Sequence, residues 1–385
     1  MADNGKRVNP NFISESDSEK GRRFMKKVYI ILQNGHVFEG RSFGADGRVV
    51  GEIVFTTGVV GYLETMTDPS YYGQIVVGTF PLIGNYGVIP ADMQSDKLYP
   101  KAYIVREFSD EPSNYRCEGT IDSWLRENGV VGVCGVDTRA LTKIIREYGV
   151  MNAIITDTLP DPIVPDEVLT YKVENAVMSV TTKEVKTYTC DDPRYNVALY
   201  DFGVKKITID SLLNMGCNVT VFPADTPATA ILEGGFDGVV LSDGPGNPKD
   251  NIKITLELRK IFGQLPIFGI SLGHQLLATA AGAITAKLKY GHRGGNQPVR
   301  DVKLGRVYIT SQAHRYTVLP ATLPTFAKIR YLNHNDGTVE GIDYDEKYAI
   351  TCQFIPEATT RSRDNRVMYE RFIALMDEFK NKEEK

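Results

Sequence analysis

Between residues 196 and 270 the chain alternates short apolar runs with longer segments whose apolar residues return every third or fourth position. The runs at 196–200, 218–222, 238–241 and 267–270 predict strands, and the segments at 205–215, 226–234 and 250–262 predict helices. Strand and helix in strict turn imply parallel neighbours joined by crossovers, hence an open parallel sheet with helices on both faces. The stretch 28–188 reads differently. Short β-rich runs at 28–32, 49–56, 74–77 and 102–107 are separated by turn signals such as Asn34-Gly35 and Ala45-Asp46-Gly47. Helices follow at 121–128 and 138–148, the second capped by Asp137-Thr138. Mostly polar sequence from 182 to 196 reads as a linker. Beyond the parallel segment the pattern is antiparallel and loop-rich through 353, and 366–380 closes as an amphipathic helix with Met368, Phe372, Met376 and Phe379 along its apolar stripe. The expected organisation is a disordered extension at 1–24, one domain at 25–190 and a second at 191–385.

The run at 267–270 leads straight into Gly269-Ile270-Ser271-Leu272-Gly273, after which Leu272, Leu276 and Ala280 recur as one helix face. G-x-S-x-G spacing lets a strand turn sharply into a helix and lift a side chain at the apex. The helix start adds free N–H groups and a positive dipole end, which favour negative charge developing there. Ser271 is therefore the candidate reactive residue. Ligands of open parallel sheets bind beyond the carboxyl ends of the strands, where Ser271 is joined by the loop 242–248, Ser-Asp-Gly-Pro-Gly-Asn-Pro.

Composition narrows the field. A net charge of −4 over 385 residues gives no electrostatic case for nucleic acid or an anionic membrane. The five cysteines are odd in number, dispersed and without a C-x-x-C pair, which argues against a disulfide framework and a zinc site and fits a reducing cytoplasm. No metal is expected. No apolar run approaches the roughly 18 residues of a membrane span.

The motifs converge on one family. Gly269–Gln275, the loop 242–248 and Gly291-His292-Arg293-Gly294-Gly295-Asn296-Gln297-Pro298-Val299 resemble the class I glutaminase domain of carbamoyl-phosphate synthase small subunits. Gly61-Tyr62-Leu63-Glu64, Thr67-Asp68-Pro69-Ser70-Tyr71, Pro81–Gly87, Val136–Thr142 and Tyr200–Lys205 extend the likeness from about 28 to 379. The resemblance implies a flavodoxin-like open parallel sheet preceded by a swivelling β/β/α domain, and a large partner chain that uses ATP and bicarbonate. No G-x-x-x-x-G-K-[ST] phosphate loop is present, so ATP and magnesium are expected to belong to that partner. The resemblance also implies that Gly244 and Leu272 supply oxyanion N–H groups and that Ser70, Gly246 and Gln275 line a glutamine site.

Four stretches depart from the family pattern. The nucleophile position, Cys in the family, is Ser271. The His-Pro-Glu that supplies its base is Ile355-Pro356-Glu357, so Glu357 is kept without the histidine it would orient. The Asn-His-Gly-Phe/Tyr stretch is Ala313-His314-Arg315-Tyr316: an amide that would hold the substrate is a methyl, and a long cation replaces a glycine at close approach. Gly-Pro does not follow Glu357; Ala358-Thr359-Thr360-Arg361 does. A thiol near pKa 8.5 ionises readily beside a helix end, whereas a serine hydroxyl needs a base to take its proton. Loss of nucleophile or base in such a unit costs on the order of 10⁶ in rate where measured in a serine hydrolase.

Three readings follow. The first is a small subunit that docks on a large chain while its own glutamine hydrolysis is lost or vestigial. The second takes Ser271 as a serine-hydrolase nucleophile, with His314 the best placed base among His292, His314 and His334. The third is a regulatory module in which Arg315, Arg293 and the 242–248 loop collect an anion.

Overall fold

A computed structural model describes residues 25–357 and 366–383; the expected extension at 1–24 and the stretch Ala358-Thr359-Thr360-Arg361 lie outside the described residues. The first half carries strands β1 (Lys27–Leu32), β2 (Val37–Gly44), β3 (Val49–Thr56), β4 (Gln74–Gly78), β5 (Leu82–Ile83), β6 (Ala102–Ile104), β7 (Glu107–Phe108), β8 (Val131–Cys134) and β9 (Met151–Thr156). Seven of them close into a barrel in the order β1-β2-β8-β6-β4-β3-β9, with β9 returning to β1. Successive strand residues face opposite sides, and here both sides are covered. Ile53 and Ile75 share a cluster with Leu141 and Ile145 of the helix Thr138–Tyr148, while Val54 and Val76 pack with Leu63 and Met66 of the helix Tyr62–Thr67. That double cover is why β3 and β4 read as apolar runs without polar alternation.

Three barrel strands escape sequence reading. In β2, exposed Val37, Glu39 and Arg41 interrupt the apolar pattern, β8 is four residues long, and β9 opens on half-buried Met151 and Asn152. The run at 102–107 is divided. β6 stays in the barrel, and β7 pairs with β5 in a separate ribbon. Asp137 caps the following helix as expected, accepting from Ala140 N at 2.9 Å.

The second half adds β10 (Lys186–Tyr188), β11 (Tyr195–Asp201), β12 (Cys217–Pro223), β13 (Gly238–Leu241), β14 (Ile267–Ile270), β15 (Thr285–Asp301), β16 (Val307–Val318), β17 (Lys328–Asn333), β18 (Val339–Tyr344) and β19 (Ala349–Cys352). They form one sheet in the order β10-β12-β11-β13-β14-β19-β18-β17-β15-β16. The central block β12-β11-β13-β14-β19 is wholly parallel. Numbered by appearance it is 2-1-3-4-5, the flavodoxin-like order. One face is covered by Leu258, Leu272 and Leu276, the other by Ile209, Leu212, Met368 and Phe372, which places the closing helix Val367–Glu383 on the sheet. β15 to β18 continue the sheet with antiparallel pairings. β10, within the polar stretch at 182–196, is the antiparallel edge strand beside β12.

The two halves are joined along a hydrogen-bonded seam. Lys206 N donates to Gln94 O and Val150 N to Lys289 O, both at 2.8 Å, and Thr57 Oγ1 lies 2.8 Å from Asn296 Oδ1. Gly294 and Gly295, quoted above within a family motif, sit within β15 at a register shift. A Cβ on Gly294 would stand 2.4 Å from Thr57 Oγ1, so the bulge is what lets the barrel approach.

Candidate active site

Ser271 occupies the junction of β14 and the helix Leu272–Ala280 with φ 48° and ψ −101°. Only a few non-glycine residues take positive φ, at a cost of about 1–3 kcal/mol when the surroundings enforce it. The enforcement is visible: Ser271 N donates to Cys352 O (2.8 Å) and Gly273 N to Ser242 O (3.0 Å). A Cβ at Gly273 would lie 2.3 Å from Leu241 O, and one at Gly244 2.1 Å from Phe202 O. Both glycines are thus required by close backbone approach.

A cavity of about 20 Å³ opens at this elbow. Ser70, Gly244, Gly246, Ser271, Leu272, Gln275, Ala313, Arg315 and Tyr316, all expected in the site, line it; Ser70 arrives from the barrel half. The volume is room for little more than one water. Arg315 is engaged by a carboxylate. Its guanidinium is ion-paired with Glu52 of β3, whose second oxygen accepts from Gln74 Nε2 at 3.1 Å and whose first lies 3.5 Å from Lys287 Nζ. The cation that replaces glycine is therefore tied to the barrel.

Ser271 is 4% exposed. Its Oγ accepts from Gln353 Nε2 at 3.3 Å, and Gln353 Oε1 accepts in turn from Gln275 Nε2 at 2.8 Å. Among the described residues no histidine hydrogen-bonds the hydroxyl. His274, on the elbow helix, turns Nδ1 to Thr351 Oγ1 (2.8 Å), and burial pushes it down to about 3. His314 lines the cavity, but its nitrogens face Tyr316 O (2.9 Å) and Gln312 Oε1 (3.1 Å). Burial, then the charge of neighbouring His292, holds it well below the usual histidine range. His334 is exposed on the surface.

Ile355 and Glu357 open on a different, adjoining cavity of about 270 Å³, with Ala313 bordering both. Its wall includes Tyr71, Val59 and Val60 from the barrel half and Lys205, Gly294 and Gly295 from the other. Glu357 accepts a hydrogen bond from Tyr369 Oη. Lys205 Nζ lies 2.5 Å from Asp243 Oδ2 and 3.6 Å from Asp68 Oδ2. Burial alone would lower the ammonium's pKa, but Asp243, Asp68 and Glu357 together raise it. The lysine is held charged by carboxylates from both halves.

Several participants carried no sequence signal as site residues. Gln353 only marks the end of the antiparallel, loop-rich stretch in the sequence; Lys205 lies inside a motif without an assigned role. Glu52 was readable, as the lone acid within an apolar run. Cys352 is fully buried on β19 with its thiol pushed up by burial, a structural position. Among the described residues His292, His314 and Glu340 place ligand-type atoms within 4.8 Å of one another. His292 is already held by Asp336 (2.9 Å) and Glu340 (3.4 Å), the nitrogens of His314 face Tyr316 and Gln312, and Glu340 Oε2 is buried without a hydrogen-bond partner among the described residues.

Comparison with known proteins gives a consistent result. Residues 30–155 match the family described as carbamoyl-phosphate synthase small chain, CPSase domain, and residues 198–375 match glutamine amidotransferase class-I. The chain is 47% identical over 350 residues to the carbamoyl phosphate synthase small chain of Clostridium perfringens, covering 90% of this chain and 99% of that one. It is 42% identical over 372 residues to the namesake from Syntrophotalea carbinolica (91% and 98% covered) and 42% over 366 residues to that of Archaeoglobus fulgidus (92% and 100%).

Proposed function

Because the chain belongs to the carbamoyl phosphate synthase small-chain family, we propose that it serves as a small subunit that no longer hydrolyses glutamine. It docks on a large partner chain, to which ATP and magnesium chemistry belongs, and that chain draws on free ammonia. The observation carrying this reading is the proton inventory at Ser271. Among the described residues the one side chain that hydrogen-bonds its Oγ is the amide of Gln353, a donor, so none of them is placed to remove the hydroxyl proton during attack.

Two further features support it. The cavity at the elbow is too small for an amino acid, and the ion pair of Arg315 with Glu52 keeps it so. Glu357, which would orient a base, is bonded to Tyr369 instead. The test is co-expression with a large chain. The expected result is co-purification and carbamoyl phosphate formation that responds to ammonium and not to glutamine; robust glutamine-driven turnover sinks the proposal.

A further inference from the structure

The wall of the Ser271 cavity carries more positive than negative charge. Arg293 lines it and is 4% exposed. Among the described residues its guanidinium forms no ion pair, and its one hydrogen bond runs from Nη1 to Tyr290 O at 2.9 Å. Close by, Arg315 and Lys287 share the single carboxylate of Glu52. Two of these cations, Arg293 and Arg315, line the cavity, and among the described residues no carboxylate lines it. A buried charge without a counter-ion is costly, and the cost is met by a partner or by a change of ionisation. Burial, the larger influence, pushes Arg293 below its usual value, against the smaller pull of Tyr71 and Glu52.

The same cavity is supplied with donors that have no acceptor. Within the described chain the N–H groups of Gly244 and Leu272 and the hydroxyl of Ser70 make no hydrogen bond, although all three residues line it. Leu272 opens a nine-residue helix, whose dipole adds to the field. Positive charge and free donors converge on a space of about 20 Å³, which excludes an amino acid and admits something the size of one water. A halide is only slightly larger.

We propose that this cavity binds one small inorganic monoanion of halide size, held between the Arg293 guanidinium and the free N–H groups of Leu272 and Gly244. The ion neutralises the unpaired guanidinium. Because Ser70 belongs to the barrel half, the ion also ties that half to the elbow.

The probe is bromide, used with the full chain. Crystals grown in sodium bromide are expected to show a bromine anomalous peak between Arg293 and Leu272 N. In solution, exchanging gluconate for bromide at constant ionic strength is expected to raise the unfolding midpoint by about 2 °C or more. Arg293→Gln loses that rise and Arg293→Lys keeps part of it. A water in place of the peak, or an equal rise in Arg293→Gln, overturns the proposal. If Arg293→Gln does not fold, the anomalous map of the unmodified chain decides alone, a peak supporting the site and its absence removing it.

Discussion

Ala313 stands between two cavities that differ in opposite senses. On the Ser271 side about 20 Å³ remains, bounded by Arg293, Arg315, Ser70 and backbone N–H groups. On the Ile355 side about 270 Å³ is open, bordered by Val59, Val60, Tyr71 and Ile207. Ser271 and Ile355, the positions that the family resemblance pairs as nucleophile and base, open on separate spaces. An imidazole exchanged for a branched alkyl group leaves room without chemistry, and a glycine exchanged for arginine leaves chemistry without room. The strained elbow is intact, while among the described residues no histidine reaches its hydroxyl and a space of about 20 Å³ adjoins it.

The contrast can be reversed by mutation, and the largest effect is expected there. Ser271→Cys alone should restore little glutaminase activity, since no base is supplied. Ser271→Cys with Ile355→His should exceed it by about 10²-fold or more, the usual share of a general base. Adding Arg315→Gly, which reopens the small cavity, and Ala313→Asn, which puts back a substrate-holding amide, should raise it further. Ammonia release from glutamine reads all three, and a family-like rate from Ser271→Cys alone would break the comparison.

A second test concerns what keeps the small cavity closed. Arg315→Met leaves the buried Glu52 carboxylate without its main partner, a loss that costs about 3–5 kcal/mol when nothing compensates. Lys287 and Gln74 remain, so about 2–3 kcal/mol is expected in urea unfolding. An unchanged midpoint would mean that the pair is not what holds the two halves together at this point.

The smallest effect lies behind the cavity, at His292. Burial works against its charged form, but Glu340 and Asp336 raise its pKa above the ordinary value near 6.5. The folded state therefore binds this proton more tightly than the unfolded state. The resulting stability is fully present below the unfolded pKa and is lost as pH rises through the higher folded one. His292→Gln should flatten stability against pH in that window, measured by chemical denaturation at successive pH values, and an unaltered slope would rule out His292 as its source.

Much of this was legible in the chain. The strands at 238–241 and 267–270 are found as read, because a buried parallel strand is an unbroken apolar run bounded by turn residues. All nine pocket residues named from motifs meet at one cavity, since the elbow and the loop 242–248 lie at the same end of a parallel sheet. What was not legible depends on contacts across the seam. No periodicity reports that Glu52 of the barrel will claim Arg315, or that Ile355 will border a different cavity from Ser271. β2 was missed for a related reason: its exposed side is hydrophilic, and the residues that bury its other side are distant in sequence.

The ammonium of Lys205 is neutralised by Asp243 from its own half and by Asp68 from the other. A cut between the halves would bare the Asp68 carboxylate, while Lys205 would keep Asp243. The two segments that match separate families along the sequence are thus joined electrostatically in the folded molecule, and the first could not be lent to another protein without carrying the unanswered charge of Asp68 on its broken surface.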